Sequence, residues 1–449
     1  MLCADAAVDL NEYFQHIFER IWADEKYNVQ TARIFKSCMV ASNPLPIAAV
    51  QVIIHDRPDK LATTAPIERD YTWDHEQEIV VTKARVNSRC QDLLAVVSPN
   101  YGFSGHIKPN ISRIEFLHRS VRDFLKESDA IQRCLDEYTG HTIFDAHFAL
   151  LACYVFLIKR ASKFDDKFHH FIRGIAMEWC TEAFSHAREV SAGPSAMSLL
   201  HALDDGMQLL YAKLDNFHWS NNLGIYLQPA RVRGLEVIEE ENRDFLAHII
   251  ESGLTSHVEA LLVSNTGLLR AKKGRPYLDY ALRRDSHAIL APDSPRKTFP
   301  DYDMVELLLN SGCDVNEVMH SLTVCESYIH YSDKEHLDRD HHRKIVWLLI
   351  TSGARQTRYR AFDGRPVGWA NTILGWNRRA AIFRGPLDRN DTRRSDVLTM
   401  ASNPEADLTK MVGPNEARAM QQYISEHDPG RTSQAASGWL GLDVWSLFG

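Results

Sequence analysis

The chain has 449 residues, 45% of them hydrophobic and 24% charged, and a formal net charge of -8 at pH 7. That length holds two to four domains with hydrophobic cores, and the composition excludes a mainly disordered chain. The acidic balance argues against a protein devoted to nucleic acid, because neutralising phosphates calls for a basic face.

In "LNEYFQHIFERIW" the residues Leu10, Phe14, Ile17, Phe18 and Ile21 form one helical stripe; in "VQTARIFKSCMVA" Val29, Ala32, Ile34, Phe35, Cys38 and Met39 form a broader one. "SNPLP" ends the second helix, and "IAAVQVIIHD" is a third, short apolar element closed by Pro58. The polar stretch from Asp59 to about Glu78 reads as a loop with one short helix. "VVTKARVNSRCQDLLAVV" then begins helical, with Val86, Cys90, Leu93 and Leu94 on one side, and ends as a β-branched strand. "PNYGFSGHIKPN" is rich in turn residues, and "ISRIEFLH" is the partner strand. Helices followed by a hairpin are the outline of a winged helix, which serves either to pack against protein or to bind DNA. Packing is the expectation here; DNA binding would need a basic face, and only Lys83, Arg85, Arg89 and His106 or Lys108 could make one.

Within "RIEFLHRSVRDFL" the period changes from two to helical spacing at His118, so a strand hands over to a helix there. Ser120 is the expected N-cap, with Asp123 as the acid of a capping box. His118 would then lie beside exposed N–H groups, a place that can receive an anion.

From about Ser128 to Gln228 three long helical patterns follow one another, and the nearly continuous apolar run in "FALLACYVFLI" predicts that the first is the most buried. An internal repeat comes next: "VEALL" at Val258, "VELLL" at Val305 and "VWLLI" at Val346, the last two followed by "NSGCDVN" and "TSGAR". A further "ESGL" follows "FLAHII", and "GRPYLDYAL" stands between the first two copies. This resembles the ankyrin repeat. Gly312 would supply a left-handed helix end, and Asp314 and Asn316 the side-chain bonds of the next turn. The spacings of 47 and 41 residues exceed the roughly 33 of a regular unit, so insertions must loop out of about three degenerate units. Of the tail, "PVGWANTILGWNRRAAIF" and "EARAMQQYISEH" read as helices, and "GWLGLDVWSLFG" as a segment that docks on the body of the protein.

Eight cysteines are scattered singly, which fits reduced packing residues and neither a disulfide framework nor a zinc site. No secretory signal and no bilayer-length apolar run is expected, and cytoplasmic is the default. There is no G-x-x-x-x-G-K-[ST] loop to cradle phosphates, no H-E-x-x-H and no G-x-S-x-G. "HYSDKEHLDRDHH" (330–342) and "RAKKGR" (270–275) read as solvated loops, and the adjacent histidines of "FHHFIR" point to different faces of a helix, which is poor geometry for a metal.

Taken together, "EYFQHIFERIW", "ARIFKSCMVASNPLPI" and "IEFLHRSVRDFL", followed by helices and ankyrin-like repeats, resemble the part of fungal NACHT-type proteins C-terminal to their NTPase domain. The resemblance covers roughly residues 9 to 355. In NOD-like relatives the equivalent phrase is Met-His-Asp, whose histidine touches the β-phosphate of bound ADP. Here Leu117 stands at the Met and His118 at the His, while Arg119 replaces the Asp. The resemblance implies that His118 is a vestigial nucleotide contact in a chain without its NTPase.

The expectation is therefore a mainly α protein: a winged-helix-like region at 1–127 with a small hairpin, a helical connector at 128–230, a short irregular ankyrin-like solenoid at 231–360 and a partly ordered tail at 361–449. It would be a non-enzymatic adaptor without a cofactor, binding a protein partner through the repeats around Asp279, Asp314, Asn316 and Glu317, with a full-length NACHT-type relative as one such partner. A winged-helix DNA-binding regulator is the alternative, and an enzyme with perturbed carboxylates or histidines in the connector is the third.

Overall fold

The computed structural model describes residues 2–64, 76–97, 112–139, 144–161, 169–211, 244–282 and 300–354, less 24, 92, 266, 273, 320–321, 326–327 and 329–338, together with 359–360, 366–367, 415 and 419. Described residues up to 261 belong to one compact unit and those from 262 onward to a second. The protein is mainly α-helical with small antiparallel sheets.

In the first unit, α1 (Leu2–Trp22) buries Phe14, Ile17, Phe18 and Ile21, and α2 (Asn28–Val40) buries Ala32, Ile34, Phe35, Cys38 and Met39. Leu10 and Val29, expected on the same stripes, are exposed; Val29 lies at the edge of its apolar arc. A strand, β1 (Leu45–Pro46), follows where the Pro-rich stretch reads only as a helix stop. Two short helices, α3 (Ala49–Ile53) and α4 (Pro58–Thr64), precede α5 (Glu76–Cys90), which begins a turn before its apolar pattern. The expected hairpin is β2 (Leu94–Val97) paired with β3 (Arg113–Phe116), and β1 completes a sheet of order β1-β3-β2. Ile114 of the central strand sits opposite both Leu45 and Val96 and is buried.

After β3 come α6 (Arg119–Glu127) and α7 (Asp129–Tyr138), then α8 (Ala146–Ala161), α9 (His169–Ala187) and α10 (Pro194–Tyr211). The expected burial of α8 holds: Ala149 to Lys159 are all buried, because a helix apolar all round must be enclosed. It packs against α2, α3, α4, α9 and α10. No boundary between compact units falls near residue 127; α7 and α8 both pack on α2. Two close fits hold α8 in place. Lys159 Nζ donates to the carbonyls of Ala62 (3.0 Å) and Thr63 (2.6 Å) at the end of α4, where the helix dipole favours a cation. Gly206 lets α10 approach so closely that a Cβ there would lie 3.1 Å from Ile158 Cγ2. The unit also holds α11 (Phe245–Glu251), which turns at Gly253 (φ 71°) into α12 (Thr255–Ser264), whose last residues pass into the second unit.

The second unit contains α13 (Tyr277–Leu282), α14 (Tyr302–Asn310) and α15 (Arg339–Thr351), with α14 packed against both of the others. The left-handed Gly312 expected after "VELLL" is present at φ 93°, and Gly353 repeats it at φ 91°. Both ends form Schellman motifs: Gly312 N–H donates to Leu309 O and Cys313 N–H to Leu308 O, and Gly353 N–H donates to Ile350 O and Ala354 N–H to Leu349 O. Six residues after each glycine a two-stranded hairpin begins, β4 (Val318–Met319) with β5 (Leu322–Thr323) and β6 (Tyr359–Arg360) with β7 (Pro366–Val367). Helix end and hairpin thus recur together at the 41-residue spacing.

Among the described residues no helix is long and apolar enough to cross a membrane. Cys38, Cys90, Cys134, Cys153, Cys180, Cys313 and Cys325 are free, and burial pushes the thiols of Cys90, Cys153 and Cys180 well above their ordinary value and that of Cys38 up to about 12. The expected tail segment "GWLGLDVWSLFG" lies outside the described residues, as does "PVGWANTILGWNRRAAIF" beyond Pro366 and Val367, which form a strand where the spacing predicts a helix.

Candidate functional site

At the junction of β3 and α6 the N–H of Leu117 donates to Leu93 O (3.1 Å), and His118, in extended conformation (φ −146°, ψ 146°), is the helix N-cap. Its Nδ1 accepts from Ser120 N–H at 3.2 Å and stands 2.7 Å from Ser120 Oγ. The expectation that Ser120 caps the helix is therefore corrected. A histidine Nδ1 is as many bonds from its Cα as the Oδ1 of Asp or Asn, so it reaches the same N–H, and Ser120 lies within the first turn. His118 is exposed; with Nδ1 committed to the fold, Nε2 is the ring nitrogen left to meet a ligand.

The rest of the phrase fastens α6. Arg122 Nη2 donates to the carbonyls of Met39 (2.9 Å) and Ala41 (3.1 Å) at the end of α2, satisfying acceptors that a helix C-terminus leaves open. Val121 and Leu125 are buried, and the ring of Phe124 lies 5.5 Å from that of Phe14 in α1. Arg119 and Asp123 form an exposed pair one turn apart at 3.6 Å instead of a capping box. Nothing in the sequence marks Arg122 as the residue that joins α6 to α2, since its partners are main-chain atoms remote in the chain.

Of the residues proposed to make DNA contacts, Lys83 is exposed, while Arg89 is half-buried over the Tyr27 ring at 4.8 Å, its guanidinium destabilised first by that burial and then by Arg85. His106 and Lys108 lie outside the described residues. On the same helix Val80 and Val81 are exposed by 64% and 55%, an apolar surface ill suited to phosphate.

The four repeat residues do not share one role. Asp279 is buried, and its Oδ2 accepts from Arg275 Nε at 2.7 Å, so its side chain presents nothing to a partner. Arg275 is itself buried, with its guanidinium 4.1 Å from the Tyr280 ring centroid, and Lys272 lies over the rings of Tyr277 and Tyr280. The reading of 270–275 as a solvated basic loop is thus corrected: the arginine's long apolar stem and planar head fill a core position once Asp279 neutralises it. The i,i+4 spacing of Arg275 and Asp279 is the signal that could have found the pair. Asp314 Oδ1 accepts from Asn316 N–H (2.8 Å), the expected turn bond, but Asn316 Nδ2 donates to Gly353 O (2.9 Å) and ties one repeat to the next. Glu317 is exposed as a residue, yet partial burial of its carboxyl raises its pKa, Asp314 adds to the rise and Lys272 opposes it.

The histidine-rich insertion resolves into packing where it is described: His341 Nε2 meets Pro300 O at 2.7 Å, and the buried His342 bonds the Tyr328 hydroxyl. No group of three or more His, Cys, Asp or Glu able to hold a metal occurs among the described residues.

Residues 23–169 match a family model described as "Domain of unknown function (DUF7791)". The match runs from just before α2 to the first residue of α9 and so takes in the small sheet, the His118 junction and the whole of α8. None of the curated proteins and none of the solved structures matches the chain.

Proposed function

We propose that the protein is a non-enzymatic interaction module of the kind found C-terminal to the NTPase of fungal NACHT-type signalling proteins, and that its second unit is the ankyrin-like binding element. The observation that carries this reading is the paired recurrence of a Schellman helix end and a hairpin six residues later, at Gly312 and Val318 and again at Gly353 and Tyr359. Arrays of that design stack neighbours into one core and leave the hairpins free to vary for recognition. Val318, at 52% exposure, stands on such a hairpin, and we assign it, with Asp314 and Glu317, to the partner face.

In the first unit the order β1-β3-β2, with β1 after α2 and α3 to α5 between β1 and β2, supports a winged-helix reading. The exposed Val80 and Val81 favour protein packing over DNA on α5.

The test is complex formation by the full chain with each protein encoded beside it or co-purified with it, compared with Val318→Asp, alongside calorimetric titration with ADP and ATP and with a His118→Ala variant. A stoichiometric complex weakened at least tenfold by Val318→Asp, with no heat from nucleotide, is expected. Micromolar nucleotide binding lost in His118→Ala, or salt-dependent DNA binding lost in Lys83→Ala, would overturn the reading.

A further inference from the structure

The α8–α9 hairpin carries a polar cluster that packing alone does not require. His147 Nδ1 lies 3.1 Å from His186 Nδ1, and the His186 ring stacks on Tyr154 with centroids 5.9 Å apart and planes at 8°. His186 is 1% exposed and His147 half-buried. One and two turns back along α9, Glu182 accepts from Asn43 Nδ2 (2.8 Å) and Glu178 pairs with Arg113 of β3 (3.0 Å). From α11, His248 sets its ring edge-on to Phe184 at 4.8 Å, with Glu251 4.0 Å from it. Before α8, Asp145 accepts from Phe148 N–H, and Arg33 of α2 lies over Phe144. After α9, Arg188 donates to Ser252 O, and from α10 Asp204 acts on Cys180. Burial, with Glu182 next, pushes the Tyr154 phenol well above its ordinary value, so it remains a neutral stacking partner.

Two neutral imidazoles can meet Nδ1 to Nδ1 in one way: one ring carries its proton on Nδ1 and donates, and the other carries it on Nε2 and accepts. One added proton leaves that bond intact. A second would set two N–H groups head to head and place two like charges in a buried site. The separation would also suit two ligands of one metal ion, but no third ligand joins them among the described residues.

We propose that His147 and His186 share a proton and act as an acid-sensitive latch between α8 and α9. With the hairpin closed the pair binds at most one proton; opened, each ring binds its own once the pH falls below about 6.5. The open form then holds more protons, so acidification favours opening.

The test is hydrogen exchange of the full chain, read as protection factors of peptides from α8 and α9 at pH 7.5 and 5.5, in the wild type and in His147→Gln and His186→Gln. The wild type is expected to lose about tenfold in protection across that range, the factor for one proton that only the open form binds. His186→Gln is expected to lose none of it, because the half-buried His147 beside a glutamine carbonyl can be protonated in place; His147→Gln, which leaves the buried His186 as the lone imidazole, is expected to keep part of the loss, since burial opposes its charged form. The same loss in the variants, or no loss in the wild type, would overturn the proposal. Should a variant not fold, 15N-imidazole spectra of the wild type decide: one Nδ1–H bonded across to the second ring supports the latch, and full protonation of both rings at pH 5.5 with α8 and α9 still protected overturns it. Protection raised by equimolar zinc at pH 7.5 would assign the pair to a metal and overturn it too.

Discussion

Arg275 and Asp279 form an ion pair one turn apart whose side chains are each 2% exposed, with Nε 2.7 Å from Oδ2. Burying two charges is tolerated because each supplies what the other loses in solvation, and removing one leaves its partner uncompensated. Asp279→Ala or Arg275→Ala is therefore expected to cost about 3–5 kcal/mol, and the double change Arg275→Met with Asp279→Leu much less. Urea denaturation of the three proteins checks this; equal costs for the single and double changes would mean that the side chains matter only through packing.

His118→Ala removes an N-cap and is expected to cost about 1 kcal/mol, whereas His118→Asn, whose Oδ1 reaches the same N–H, is expected to retain most of it. If the ring served a ligand alone, both variants would keep wild-type stability in the absence of that ligand. Thermal denaturation without added nucleotide separates the two.

Where α10 crosses α8, a side chain at Gly206 has no room: Ile158 and Lys159 lie 3.1 and 3.3 Å from the Cβ position. Gly206→Val is expected to cost about 1–3 kcal/mol through overpacking. At Gly193, where only the Ser191 carbonyl comes within 4.0 Å, alanine is expected to change stability by less than about 0.5 kcal/mol. Denaturant midpoints for the two variants make the comparison.

His257 of α12 is fully buried, and burial lowers its pKa. The unfolded chain then binds this proton at a pH where the folded chain does not. Above about pH 6.5 both states are neutral and no penalty exists; as pH falls below that value stability declines until the folded pKa is reached. His257→Leu is expected to flatten this part of the stability profile between pH 7 and 5. An unchanged profile would show that His257 is protonated in place.

The linear order of residues determined the elements whose causes are local. The stripes of α1 and α2, the enclosed α8, the hairpin of β2 and β3, and the left-handed Gly312 after "VELLL" all follow from spacing or from one residue's backbone freedom, and each is where the pattern placed it. What only the tertiary structure decided are partners far apart in the chain: β1 against β3, Arg122 on the end of α2, Asn316 on Gly353, His147 on His186. The candidate site divided along the same line. Asp314 does what a turn aspartate should because its acceptor serves an N–H two residues on, while Asp279 left the surface because a buried arginine needed its charge. Periodicity reports which face of an element is apolar; it carries no information on which polar group from another element will meet that face, since that contact is selected by the packing of the whole unit.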